Sequence, residues 1–185
     1  PVTSTRSRAA WRRWTRSMRW PRAPPRAARG AGPANPCTGV DVRAFVDTNL
    51  WVYRLDRREA AKSRRIGVWL KELARDHEIV VSTQVLIELR AVASAKLKPA
   101  LSANDTGVAL AALSAFEVVA TDTNLVLDAH ELAVAEQLSW FDALIVEAAI
   151  RSRCDVLYSE DLAHGRRFGD LTVCNPLAEA QGARS

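Results

Sequence analysis

Four acids interrupt otherwise apolar stretches. Asp47 follows Ala44-Phe45-Val46, and Glu88 lies within Val85-Leu86-Ile87-Glu88-Leu89. Asp142 lies within Trp140-Phe141-Asp142-Ala143-Leu144-Ile145, and Asp161 follows Leu157-Tyr158-Ser159-Glu160. A carboxylate among large apolar side chains is costly to bury unless it is hydrogen-bonded, paired or bound to a metal. Four of them gathered at one edge of a sheet would repel each other. A hard divalent cation resolves that repulsion, and an all-oxygen donor set favours Mg²⁺ or Mn²⁺. Each acid also has a plainer reading. Asp47 could cap the helix that follows it, Glu88 could face solvent, Ser139-x-x-Asp142 fits a capping box, and Asp161 could sit in a turn. Taken singly none is decisive; it is their combined placement that points to a site.

Other chemistries find less support. His77, His130 and His164 do not form a pair for acid–base work, and His164 reads as a solvent-facing loop residue. Gly30-Ala31-Gly32 has no strand before it, so the chain has no phosphate-cradling loop of the nucleotide-binding kind. A metal-dependent phosphatase that also begins with an Asp after its first strand usually needs a second acid two residues on, and that position here is Asn49.

The elements that must position these acids follow from hydrophobic periodicity. Residues 43–46 read as a buried strand and 49–55 as a short helix. Residues 59–75 form an amphipathic helix, with Ala60, Ile66, Trp69, Leu70 and Leu73 inward and Lys62, Arg64, Arg65 and Lys71 in water. A strand over 78–81 leads into a helix capped by Ser82 or Thr83 and reaching about Lys96. Further helices span 104–115, 123–138 and 140–151, the last apolar nearly all round. Strands at 116–119, 155–158 and 171–174 complete five. Strands that alternate with one or two helices imply an α/β fold, with a mostly parallel five-stranded sheet and helices on both faces.

Charge divides the chain. Residues 1–40 hold nine Arg and no acid, whereas the other 17 basic residues share the remainder with all 21 acids. The first 40 residues therefore read as a basic disordered arm. It is either a nucleic-acid-binding tail, a leader or sequence upstream of the true start. A folded domain is expected over 41–178, with a flexible tail at 179–185. Cys37, Cys154 and Cys174 suit neither a disulfide framework nor a zinc site. Cys154 and Cys174 are expected as reduced core residues, which fits a cytoplasmic protein, and no segment is apolar enough to span a membrane.

The ordered motifs Phe45-Val46-Asp47-Thr48-Asn49-x-x-x-Tyr53, Ser82-Thr83-Gln84-Val85-Leu86-x-Glu88, Leu138-Ser139-Trp140-Phe141-Asp142-Ala143 and Leu157-Tyr158-Ser159-Glu160-Asp161 resemble those of PIN-domain ribonucleases. The likeness is nearest to the bacterial VapC-type toxins of toxin–antitoxin systems and covers about residues 43–178. The resemblance implies a Mg²⁺-dependent ribonuclease, with Mn²⁺ as an alternative ion. It implies Asp47, Glu88, Asp142 and the more variable Asp161 as catalytic metal ligands, with Glu160 the less favoured neighbour. Asn49 and Ser159 would support the site by hydrogen bonding. It further implies an RNA substrate, hydrolysis to a 5′-phosphate and a 3′-hydroxyl, a cognate antitoxin and a homodimer. Arg54, Arg57, Arg58, Arg64, Arg65, Arg166 and Arg167 are candidates for holding RNA. The competing class is a non-catalytic RNA-binding or protein-interaction module on the same fold.

Overall fold

The computed structural model describes residues 42–178. The expectations for the arm over 1–40 and the tail over 179–185 lie outside the described residues. Six strands form one sheet in the order β3-β2-β1-β4-β6-β5. They are β1 (Arg43–Val46), β2 (Glu78–Ser82), β3 (Glu117–Val119), β4 (Val156–Tyr158), β5 (Arg167–Phe168) and β6 (Leu171–Cys174). All neighbouring pairs are parallel except β5 with β6. The described helices are α1 (Thr48–Leu55), α2 (Ala60–Asp76), α3 (Thr83–Ala95), α4 (Ala103–Leu113), α5 (Thr123–Glu136) and α6 (Trp140–Arg151).

The expected α/β class and mostly parallel sheet are present, with one strand more than the five expected. The extra strand, β5, is only two residues long and pairs Arg167 with Thr172 and Phe168 with Leu171. Its turn needs Gly169, which has φ +60°, a conformation that costs a residue with a Cβ. A two-residue strand beside glycines carries no periodicity, which is why the stretch reads as a loop.

From β1, in the middle of the sheet, the chain moves outward through β2 to β3, then returns past β1 to form β4 on the other side. Right-handed parallel crossovers put helices on both faces of the sheet. The helix α1 packs on α2 and α3, α3 on α4, and α5 on α6, and α3 also touches α6. The reversal between β1 and β4 opens a crevice at the carboxyl edge of the sheet.

Sequence explains how the helices start. Asp47, Ser82, Ser102, Asp122 and Ser139 each accept a backbone N–H in the first turn of α1, α3, α4, α5 and α6 respectively, satisfying donors that the helix itself leaves unpaired. Ala143, Leu144, Ile145 and Val146 of α6 are buried, as expected of a helix apolar nearly all round. The indole of Trp51 donates to the Val46 carbonyl at 3.2 Å and fastens α1 to β1. Leu50, Trp51 and Leu97 are core residues.

Arg43 closes the opposite edge. Its guanidinium meets Glu78 at 2.5 Å, Glu117 on β3, and the Ser152 carbonyl at the end of α6 at 2.6 Å. Cys154 is a buried free thiol pushed up to about 12, chiefly by burial. Cys174 is disulfide-bonded, which corrects the expectation of a reduced thiol there. Sequence spacing says little about which sulfurs the fold brings within bonding distance.

Candidate active site

The site grows from the register of two central strands. Val46 of β1 lies opposite Tyr158 of β4, and the Asp47 N–H donates to the Tyr158 carbonyl at 3.0 Å. The next residue on each strand, Asp47 and Ser159, therefore leaves the sheet side by side. The fully buried Ser159 hydroxyl donates to Asp47 Oδ2 at 2.7 Å, although the two residues are 112 apart in the chain. It also accepts the Asp161 N–H at 3.1 Å, so one hydroxyl orients both acids.

Asn49, in the first turn of α1, is the second bridge. Its Nδ2 donates to Asp47 Oδ2 and Asp161 Oδ2, each at 3.0 Å, and approaches Ser159 Oγ at 3.3 Å. Three oxygens around that nitrogen fix the amide's orientation. The Asn49 Oδ1 is buried without a hydrogen bond among the described residues. Asp47 proves to be both a helix cap and a member of the acidic cluster. Its Oδ1 accepts the Thr48 N–H at 2.6 Å while Oδ2 faces Ser159 and Asn49. The two readings open in the sequence are not exclusive, because a carboxylate has two oxygens.

Glu88 joins through Thr48. The Thr48 hydroxyl donates to Glu88 Oε2 at 2.7 Å, and Gln84, one helical turn earlier on α3, donates to Oε1 at 2.7 Å. Glu88 thus points into the crevice and not into solvent.

Asp142 is hydrogen-bonded to none of the other acids. Ser139 Oγ donates to its Oδ2 at 2.7 Å and accepts its N–H at 3.2 Å, so the helix-start role is realised. Topology nevertheless brings it to the same edge. The C-terminal end of α6 meets Arg43, at the amino edge of β1. Twelve residues of helix then carry its first turn back by about 18 Å, more than the strand length of about 13 Å.

The structure also separates Glu160 from Asp161. Glu160 pairs with Lys62 at 3.4 Å, whereas Asp161 turns to Asn49. Burial pushes the Asp47 carboxyl up to about 7. The hydrogen bonds from Ser159 and Thr48 oppose this, and the like charges of Asp161 and Glu88 add to it. The donor chemistry fits a hard divalent cation: carboxylate oxygens, one of them pushed toward neutrality chiefly by burial and further by its acidic neighbours. As the side chains lie, no three acid, His or Cys side chains among the described residues form a group spaced to grip an ion. The neutral donors of Thr48 and Asn49 stand between the carboxylates.

Of the arginines proposed for RNA, several are engaged elsewhere. Arg58 is held by Asp56 in a two-pronged pair, and Arg166 by Glu136. Arg54 reaches Ser63, and Arg65 the Pro176 carbonyl. Lys62, which the helical pattern assigned only to a wet face, pairs with Glu160, the neighbour of Asp161. The signal available in the sequence was its distance along α2, and nothing there tied it to Glu160, 98 residues away.

A parallel α/β sheet with acids gathered at its carboxyl edge, beside a reversal of strand order, defines a class of protein that binds its ligand at that edge. The family model described as PIN domain matches residues 44–167, and the chain belongs to the PIN-domain family. Among solved structures, the fold is similar to VapBC2 from Rickettsia felis bound to a DNA fragment from the promoter. That match has 23% identity and a TM-score of 0.50, and covers 70% of this chain and 96% of that one. It is also similar to VapBC-1 from nontypeable Haemophilus influenzae, at 18% identity and a TM-score of 0.50, covering 71% and 96%. No curated protein matches the sequence. Among the described residues no helix is long and apolar enough to cross a membrane.

Proposed function

We propose that this chain is a Mg²⁺-dependent endoribonuclease and the toxin of a toxin–antitoxin pair. The observation that carries the reading is the linked cluster of Asp47, Asn49, Ser159 and Asp161, with Glu88 tied in through Thr48, at the carboxyl edge of a PIN-family sheet. The RNA substrate, the cognate antitoxin and the homodimer come with the motif resemblance. Both fold neighbours named above are VapBC structures.

Asp47, Glu88, Asp142 and Asp161 would hold the ion, Mg²⁺ or Mn²⁺. When bound, it lowers the pKa of a water and stabilises negative charge at phosphorus. The chain's own residues keep the carboxylates aimed. Ser159 and Asn49 fix Asp47 against Asp161, and Thr48 and Gln84 fix both oxygens of Glu88. Ser139 fixes Asp142. Such outer supports are typically worth 10–100-fold in metal affinity or activity.

The test is cleavage of a labelled RNA by the purified chain, with Mg²⁺ and with EDTA. Cleavage should require the ion. Asp47→Asn and Asp142→Asn should each abolish it while circular dichroism shows a folded protein. Undiminished cleavage by either variant would remove that acid from the site. A wild-type protein that binds RNA and never cuts it with Mg²⁺ or Mn²⁺ would favour the non-catalytic module.

A further inference from the structure

Next to Asp161 lies a second built cluster that the acids do not use. Tyr53 comes from α1, Lys62 from the first turns of α2, and Glu160 from the loop after β4. The Lys62 ammonium sits 3.3 Å from the centroid of the Tyr53 ring and 3.4 Å from Glu160 Oε2. The Tyr53 ring and the Glu160 carboxylate thus hold the ammonium from two sides. Burial, the interaction with Glu160 and the charges of Asp161 and Glu59 all raise the phenol's pKa, so it stays neutral. Lys62 and Glu160 are each only partly covered, at 25% and 31% side-chain exposure, so the ammonium is anchored yet reachable from solvent.

From this geometry we propose that Lys62 is the residue that contacts a backbone phosphate of the substrate beside the acidic cluster, with Tyr53 and Glu160 holding it in place. The proposal rests on the reading of the chain as an RNA-binding enzyme and adds the group that takes the strand's charge. The physical need is plain: Asp47, Glu88 and Asp161 crowd negative charge into the crevice, and a phosphodiester approaching it needs a cation at the rim. An unrestrained lysine would give up considerable side-chain freedom on binding. Here the aromatic face and the carboxylate have already ordered the chain, and a cation over an aromatic ring is itself favourable. An ammonium has three donors. Glu160 takes one, and the ring contact is made by the charge and not by a particular N–H, so a phosphate oxygen can be met without dismantling the cluster. The same arrangement explains why the two adjacent acids part. Glu160 is committed to Lys62, while Asp161 is committed to Asn49.

The test uses the full chain carrying Asp47→Asn, so that RNA is bound and not cut, and a fluorescein-labelled single-stranded 20-nucleotide RNA. Affinity is measured across a series of salt concentrations. One phosphate contact on a single strand contributes about 0.7 to the slope of log K against log salt. Adding Lys62→Gln should lower the slope by about that amount and weaken binding about 3–10-fold at low salt. Lys62→Arg should restore the slope. Glu160→Gln, which loosens the anchor but keeps the ammonium, should weaken binding less than Lys62→Gln does and leave the slope contribution of Lys62 in place. An unchanged slope in Lys62→Gln would overturn the proposal. So would a loss that Lys62→Arg fails to rescue, because the lysine would then matter for packing against Tyr53 and not for phosphate. The nuclease reading is scored separately, by wild-type cleavage with and without EDTA. A chain that never cuts RNA but binds it with a Lys62-dependent slope keeps this inference and loses that one.

Discussion

At the residue scale, burial makes Asp47 the acid most sensitive to pH. Its folded pKa of about 7 lies above the ordinary carboxylate value of 3.8, so between those values the folded state holds a proton that the unfolded state has lost. The stability linked to that proton is complete below about pH 4 and disappears as pH rises through about 7. Compared with Asp47→Asn, the wild-type protein in EDTA should lose about 2–3 kcal/mol between pH 5 and pH 8, measured by urea unfolding at both values. A pH-independent difference would mean that Asp47 is not the strained group. Ser159 is the main counterweight, since its hydroxyl bond lowers the same pKa. Ser159→Ala should therefore cut Mg²⁺-dependent activity about 10–100-fold and move the acid limb of the pH–rate profile upward. An unshifted limb would show that Ser159 does not tune Asp47.

At the element scale, the site depends on the relative height of β1, β4 and α6. Arg43 sets that height from the far edge, joining Glu78 of β2, Glu117 of β3 and the Ser152 carbonyl at the end of α6. Its side chain is 12% exposed, whereas those of Glu78 and Glu117 are 40% and 47% exposed, so the arginine is shielded while its partners reach solvent. Arg43→Met should lower stability by about 1–2 kcal/mol, read as a shift in the urea midpoint with an unchanged m-value. A loss below about 0.5 kcal/mol would place these pairs with ordinary surface bridges. Arg151 does comparable work at the other helical layer. It joins Asp122, Asp128 and Glu147, and so ties the start of α5 to the end of α6.

At the scale of the whole molecule, metal binding and folding should be linked. The folded state gathers carboxylates that the unfolded chain scatters over more than a hundred residues, so an ion that binds only the folded state stabilises it. Mg²⁺ at about 100 times its dissociation constant should add about 2.7 kcal/mol, visible as a rise in melting temperature. The rise should vanish in Asp47→Asn. An equal rise in that variant would assign the ion to another place on the chain.

The sequence alone determined most of the elements and singled out four acids. Hydrophobic period separated most strands from helices, and side chains such as Ser82, Asp122 and Ser139 marked helix starts, because both signals are local. The four acids were legible because a carboxylate in an apolar run is an anomaly that local structure does not require. The strand at Arg167–Phe168 was not legible, since two residues have no period. Tertiary structure alone decided the partnerships. It placed Ser159 on Asp47 through the β1–β4 register, made Asp47 cap and cluster member at once, and bonded Asp142 to Ser139. It gave Glu160 to Lys62 while Asp161 took Asn49. Those pairings join residues up to 112 positions apart, and a hydrogen bond of about 3 Å is fixed by the crossing of strands in space, which no local pattern along the chain records.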